Sequence, residues 1–571
     1  MEKGRRIVER EQKPKKRINS NDKKKKVKKV ISIIMGIIIF IIICLIANNY
    51  IVFDKNKKVN LVINNKNVTS NLKNDVLIED DIIYLSQQDI SNFFDKHIYK
   101  EDEINEIITT YNKKIASIGF EKNSININGA DKQIYAHAIE KDGQAYLPIS
   151  EMKDVYDVEI RNIEKTKVVT MDSLDREQKK AIVTSNLSVK SSTNFIAKTV
   201  DRIKKGDYVV VISSDKGYTR IRTENGKIGY IKSNKLANEI TVREEMKEEK
   251  QIEGKVNLTW DYYSEVGSAP DRSGISIDGV NVVSPAFFYL DENGKLKENI
   301  GNRGEQYIEW AHNNGYKVWP MISNAKAGLT VTSKIMNSYK ARQQLIEEIV
   351  DKCVEYKIDG INVDFENMKQ EDKDLYSRFI IELTPRLKEM GLVTSVDVTA
   401  PDGGETWSMC FDRHVIGDVA DYIVFMAYDE YGISSTKPGT TAGYDWVKLS
   451  LNKFLQTEEI ESNKIILGIP FYTRVWTTDS TGKSTSNTVS MKKTSSVIPD
   501  GVEKQWDDEL KQNYVEYMDG DKKKQIWIED IDSIKAKISL ITENNLGGVA
   551  SWQKDMEVDE VWEVLKQEIN K

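Results

Sequence analysis

The sequence predicts an α/β protein whose C-terminal part, residues 255–571, is a (β/α)8 TIM-type barrel. Three observations carry that prediction. Eight apolar strand-like runs follow Lys255, amphipathic helical patterns separate most of them, and the fourth run alternates acids and an Asn with apolar residues. The runs are KVNLTWDYY, VNVVSPAFFYL, YKVWPMIS, GINVDFE, VTSVDVTA, YIVFMAYDE, KIILGIPFY and GGVASW. Helical periodicity is plainest in SYKARQQLIEEIVDKCVEY, before the fourth run, and in KDLYSRFIIELTPRLKEM, after it. In such barrels the functional groups sit at the C-terminal ends of the strands.

At 571 residues the chain exceeds one ordinary hydrophobic core, so further domains precede the barrel. Residues 1–29 carry fourteen Lys or Arg against four Asp or Glu, a net +10 in a chain whose total is −6. This basic tail ends at VISIIMGIIIFIIICLIA, residues 30–47, an uncharged run near the minimum length for a transmembrane helix. The positive-inside rule then makes 1–29 a cytoplasmic tail and sends everything after Asn48 outside. The chain is thus expected to be a single-pass plasma membrane protein with the residues that follow the span on the extracellular side, and membrane lipid is the partner of the helix. A cleaved signal peptide is the alternative, against which the length of the run and the lack of a small-x-small site in LIANNY both argue. The run KKKKVKK lies beside the span, so orientation and anionic lipid account for it without nucleic acid.

Residues 81–98 and 143–160 match at an offset of 62, pairing Tyr84-Leu85 with Tyr146-Leu147 and Asp95 with Asp157. Each copy reads as a strand ending in Tyr-Leu followed by a helix, within an α+β module over 54–172. The module resembles the copper amine oxidase N-terminal-like domains of bacterial surface proteins. It holds no clustered metal ligands, so a spacer or adhesive stalk is expected. Residues 182–240 consist of short alternating stretches broken at Asp215-Lys216-Gly217 and Asn225-Gly226, a small β-barrel pattern that resembles a bacterial SH3-type domain. Binding of cell-wall peptide and a plain spacer role both remain open for it. The charged stretch REEMKEEKQ reads as a solvated linker.

Three cysteines cannot staple a chain of this size, and four scattered histidines offer little material for a triad or a metal cluster. Catalysis is therefore expected to rest on carboxylates. In DGINVDFEN, residues 359–367, strand alternation puts Asn362, Asp364 and Glu366 on one face and Ile361, Val363 and Phe365 on the other. Two acids buried this close cost several kcal/mol unless one keeps its proton, which raises a carboxyl pKa toward that of a general acid.

These residues carry a resemblance to the family 18 glycoside hydrolases, the chitinase-like enzymes, whose pattern is Asp-Gly-x-Asp-x-Asp-x-Glu. The resemblance extends to MAYD at the sixth strand, with Met426, Tyr428 and Asp429, to GIPFYTRVW at the seventh, and to GGVASW, with Trp552, at the eighth. It implies a retaining, substrate-assisted hydrolysis of β-1,4 bonds next to N-acetylglucosamine in peptidoglycan, spore cortex or chitin-type glycans. Glu366 is then the acid and later the base, Asp364 orients the 2-acetamido group, and Tyr428 holds it from the other side. Trp552 is the apolar floor, with Asn362, Met426, Asp429 and Arg474 as further substrate contacts. No metal or organic cofactor is implied. The chain departs from the pattern at Asn362, where the family has Asp, and this form resembles a bacterial subgroup linked to spores and cell-wall glycan. After the seventh strand, TTDSTGKSTSNTVSMKKTSS reads as a polar loop, and YVEYMDGDKKKQIWIED as a hairpin turning at Asp519-Gly520. Trp476, Trp506 and Trp527 are candidates for sugar stacking or for the core. The competing readings are a glycan-binding lectin on the same barrel and a structural envelope protein; the presence of Glu366 argues against the lectin.

Overall fold

The computed structural model describes residues 29, 32–37, 39, 59–246, 251–263 and 268–569. The expected basic tail and the membrane run at 30–47 lie for the most part outside the described residues. Among the described residues no helix is long and apolar enough to cross a membrane.

The described residues form two compact units, one drawn from 1–76 and 158–246, the other from 77–157 and 247–571. Residues 54–172, read from sequence as one module, thus contribute to both. In the first unit Asn60–Ile63 runs parallel to Val168–Ser173 within a four-stranded sheet, and seven further strands between Gln178 and Arg243 form an antiparallel sheet. The latter encloses a small core of Val183, Val189, Ile203, Val209, Ile221 and Ile231. Its Lys216-Gly217 turn has both residues at positive φ and pairs Asp215 with Tyr218, as a two-residue hairpin requires. The stretch beginning at Arg243, expected to be linker, opens inside a strand, and Arg243 Nη2 donates to Glu159 at 2.9 Å.

In the second unit, residues 77–157 bring the repeated segments together. Strands Ile82–Ser86 and Gln144–Leu147 pair antiparallel with Leu85 opposite Leu147, and a helix follows each strand. A five-stranded antiparallel sheet between Tyr99 and Gln133 lies in between.

The rest of this unit is the barrel. Its strands are β1 (Val256–Asp261), β2 (Val282–Pro285), β3 (Met321–Ser323), β4 (Gly360–Asp364), β5 (Val393–Val398), β6 (Tyr422–Met426), β7 (Ile465–Pro470) and β8 (Gly548–Trp552). Each falls in one of the eight predicted runs. All eight run parallel, and β8 pairs with β1. Closure between β2 and β3 takes two steps: Val283 faces Val318 in a short segment ahead of β3, and Phe288 beyond β2 faces Ile322. Pro285 and Pro320 sit at the two interruptions, where a residue without an N–H cannot continue the ladder.

Alternation then sorts the side chains. Leu258, Trp260, Val282, Met321, Val393, Val424, Ile466 and Ala550 fill the interior, while Val283, Ile322, Val363, Val396, Phe425, Leu467 and Val549 face the surrounding helices. The two helices predicted around β4 form at Tyr339–Tyr356 and Lys373–Glu389. Ser338 caps the first by accepting from Ala341 N–H, and Lys357 ends it in the left-handed region.

Two expectations for the insertion after β7 are corrected. The polar run at 477–496 contains a strand, Ser484–Ser490, that pairs with Tyr472–Thr478 in a five-stranded antiparallel sheet. Its Ser and Thr side chains are polar, yet Thr is at home on a pleated surface, so polarity alone misassigned it. The hairpin turns at Gly520-Asp521, one residue later than expected, with Asp519 opposite Lys522.

An ion cluster joins residues 77–157 to the barrel helices. Arg342, 1% exposed, donates from Nη2 to Glu101 Oε2 at 3.0 Å and from Nε to Glu382 Oε2 at 3.1 Å, and Tyr99 also donates to Glu382. Removing one partner strands a buried charge, so Glu382→Ala is expected to destabilise this unit by about 3–5 kcal/mol, read as a lowered urea midpoint in tryptophan fluorescence. A midpoint within experimental error of wild type contradicts this role for the cluster.

Candidate active site

The site is built on β4. Gly360 begins it because a Cβ there would meet the Trp319 ring at 2.8 Å and the Val393 carbonyl oxygen at 2.6 Å. Asp359, just before the strand, accepts from Val318 N–H at 3.0 Å and from Lys317 Nζ at 2.9 Å, so this first acid of the motif ties the far end of the barrel together. On the outward face the Phe365 ring stacks 5.8 Å from that of Phe379, the two planes within 7° of parallel. That packing fixes the strand's rotation and turns Asn362, Asp364 and Glu366 inward.

Asn362, expected to contact substrate, is instead wholly buried and fully engaged by the protein. Its Oδ1 accepts from Trp260 Nε1 at 2.8 Å and Ser284 Oγ at 3.3 Å; its Nδ2 donates to Ser395 Oγ at 3.0 Å and Asp397 Oδ1 at 2.7 Å. It lies one strand repeat deeper than Asp364 and organises the floor beneath it.

Asp364 is half-buried, and its Oδ1 is enclosed without any hydrogen-bond partner. Burial, then the charge of Asp397, pushes its carboxyl well above the usual carboxylate range. Glu366 is raised to about 8, first by burial and then by the charges of Asp364 and Asp429. Asn324 grips its backbone from both sides: Nδ2 donates to Glu366 O at 2.9 Å, and Oδ1 accepts from Glu366 N–H at 2.8 Å.

The remaining predicted residues come from three more strands. Tyr428 follows β6 with its hydroxyl enclosed and unpartnered, and its ring passes over Gly468, where a Cβ would lie 3.3 Å from Tyr428 Cε1. Asp429, in the left-handed region, accepts from Tyr472 Oη at 2.5 Å and from Arg474 Nη2 at 2.6 Å. Arg474 thus meets the acids through Asp429. Trp552 ends β8 with its ring 5.7 Å from Trp260 and 5.7 Å from Tyr262, and the Trp552–Gln553 bond is cis. Met426 is buried at the end of β6 and pairs with Gly468 in the ladder. Trp476 is buried and donates to Gly439 O at 2.7 Å, in the loop that follows β6; Trp506 is 42% exposed.

Sequence reasoning missed Asp397, Asn324, Trp260 and Tyr472. Asp397 carried a signal, since Ser395 and Asp397 alternate with Val396 and Val398 in VTSVDVTA as the β4 acids do in GINVDFE. Asn324 carried none, because its partner is a backbone unit 42 residues away.

Carboxylates at the C-terminal mouth of a parallel barrel, one of them protonated at neutral pH, suit acid-catalysed cleavage. The model of the glycosyl hydrolases family 18 matches residues 258–557, and the chain belongs to that family. It is a glycosidase, related to spore cortex-lytic enzymes. The uncharacterized glycosylase YvbX of Bacillus subtilis (strain 168) is 27% identical over 298 residues, covering 50% of this chain and 84% of that protein. The cortical fragment-lytic enzyme of the same organism is 28% identical over 243 residues, covering 41% of this chain and 56% of the relative. Among solved structures, a chitinase from Chromobacterium violaceum ATCC 12472 aligns at 24% identity with a TM-score of 0.49, over 56% of this chain and 100% of the other.

Three outcomes are expected. Glu366 holds its proton below about 8 and loses it above, so kcat/KM falls as pH rises through about 8. Asp429→Asn removes one of the charges that raise Glu366, and the alkaline limb moves to lower pH; a limb that stays in place refutes the assignment. Asn324→Ala frees the Glu366 backbone and is expected to lower kcat by about 10-fold or more with little change in KM. A proportionate rise in KM instead would assign Asn324 to substrate binding.

Proposed function

We propose that this chain hydrolyses β-1,4 bonds next to N-acetylglucosamine with retention, using the substrate's own acetamido oxygen as nucleophile. One observation carries this reading. Beside Glu366 two enclosed polar groups lack partners, the acceptor Asp364 Oδ1 and the hydroxyl of Tyr428. A buried acceptor and a buried donor left open are costly, and together they are complementary to a secondary amide.

In this mechanism Glu366 gives its proton to the leaving oxygen as the acetamido oxygen attacks the anomeric carbon. Asp364 accepts from the acetamido N–H, and Tyr428 donates to the acetamido oxygen. Trp552 lies under the sugar ring. Water then opens the oxazolinium intermediate, and Glu366, now a carboxylate, takes the water's proton. Retention by paired carboxylates needs a second acid about 5 Å away as nucleophile; the acetamide replaces it here.

The similarity to a cortical fragment-lytic enzyme supports a cell-wall glycan of the cortex type as the substrate. The basic tail at 1–29 and the apolar run at 30–47 support an anchored enzyme whose barrel works on the wall side. In that arrangement residues 77–157 brace the barrel, and the SH3-type segment at 182–240 serves as a spacer or as a contact for cell-wall peptide.

The test is mass spectrometry of products after the full chain, wild type and Glu366→Gln, meets purified peptidoglycan, de-peptidated strands and chitin oligomers. Products with reducing N-acetylglucosamine ends are expected from wild type alone. Binding without cleavage by both proteins would replace the enzyme reading with a lectin.

A further inference from the structure

We propose that Asp397, on β5, is a positioning residue that shares one proton with Asp364 and so replaces the carboxylate that this chain lacks at Asn362. The proposal rests on the acetamide-assisted reading above.

The argument begins from register. Asn362 faces Ser395 and Val363 faces Val396 across β4 and β5, so the next step of the same parallel register brings Asp364 beside Asp397. Side chains alternate in phase on the two strands, and both residues point into the barrel. Asp397 is 1% exposed, and Asp364 Oδ1 is enclosed with no N–H or O–H group donating to it. Among the described residues no Lys or Arg pairs with Asp364, Glu366 or Asp397; Arg474 is taken by Asp429. Two adjacent buried carboxylates without a cation cannot both ionise, so the pair holds one proton and one negative charge at neutral pH.

Asn362 assigns the roles within the pair. Its amide donates to Asp397 Oδ1 at 2.7 Å and so fixes the Asp397 carboxyl, whose charge acts on Asp364. An Asp at 362 would bring a third acid into this floor, where Trp260 and Ser284 already donate to the side-chain oxygen. The amide holds Asp397 in place without adding charge. When substrate enters and its acetamido N–H approaches Asp364, the O–H bond on Asp364 breaks and one forms on Asp397. Asp364 becomes the carboxylate that the acetamide needs, and the pair's net charge stays at −1. The other titratable groups facing the pair are Glu366 beyond β4, Tyr428 beyond β6 and Tyr376 from the helix behind β4, with Asp429, paired to Arg474, further out.

The test compares pH profiles of full-chain wild type, Asp397→Asn, Asn362→Asp and the double variant on the glycan that wild type cleaves. Asp397→Asn is expected to lower kcat about 100-fold with KM little changed. Its acidic limb moves to lower pH, because Asp364 has lost a like-charged neighbour. The double variant returns the carboxylate on β4 and restores both rate and limb. Asn362→Asp alone crowds a third acid into the floor and moves the acidic limb to higher pH, which keeps the proposal testable if Asp397→Asn fails to fold. An Asp397→Asn enzyme with the wild-type pH profile, or a double variant no better than the single, overturns it. Absence of cleavage by wild type on every acetamido glycan overturns the parent reading instead.

Discussion

A closed parallel barrel leaves each strand one inward and one outward face, and in this protein the inward face of β4 carries acids into a space without a basic partner. Water is largely excluded there, and the Arg474 guanidinium is held by Asp429. Charge must then be limited by retained protons, and this condition raises Glu366 to about 8 and Asp364 above the ordinary carboxylate range. Everything that positions the acids follows from that constraint: the outward stack of Phe365 on Phe379, the Asn324 grip on the Glu366 backbone, and the saturated amide of Asn362.

The floor of the site shows how one substitution in a motif is absorbed by its surroundings. Asn362 makes four hydrogen bonds, to groups on β1, β2 and β5, and so links strands that are not all adjacent in the sheet. A carboxylate offers only acceptors and cannot donate to Ser395 and Asp397 as the amide does. The acid on β5 and the amide on β4 therefore belong together as one arrangement.

The unit that holds the barrel also holds residues 77–157. Glu101 and Tyr99 from that segment complete a buried cluster with Arg342 and Glu382 on the two helices flanking β4. A barrel cut free at Lys255 would keep its eight strands and lose the Glu101 partner of Arg342, with the cost of an incompletely paired buried charge. The helices so braced are those against which β4 sets its rotation.

Much of this was legible in the chain. The eight strands, the two helices around β4 and the shared face of Asp364 and Glu366 follow from periods of 2 and 3.6, which are local properties of the backbone. The same local rule applies to Asp397, which alternates with Val396 and Val398 as the β4 acids alternate with their apolar neighbours. What alternation alone leaves open is depth along the barrel axis. It assigned Asn362 and Asp364 to one face, whereas the stagger of neighbouring strands decided that the first is sealed beneath the second. Asn324 and Glu101 became relevant only when distant segments met, and the strand at Ser484–Ser490 formed because Tyr472–Thr478 offered it an edge. The sequence by itself determined which residues alternate and which segments are apolar; the tertiary structure decided which polar atoms find partners, because hydrogen bonds and charge sharing across strands depend on register and burial that no local pattern encodes.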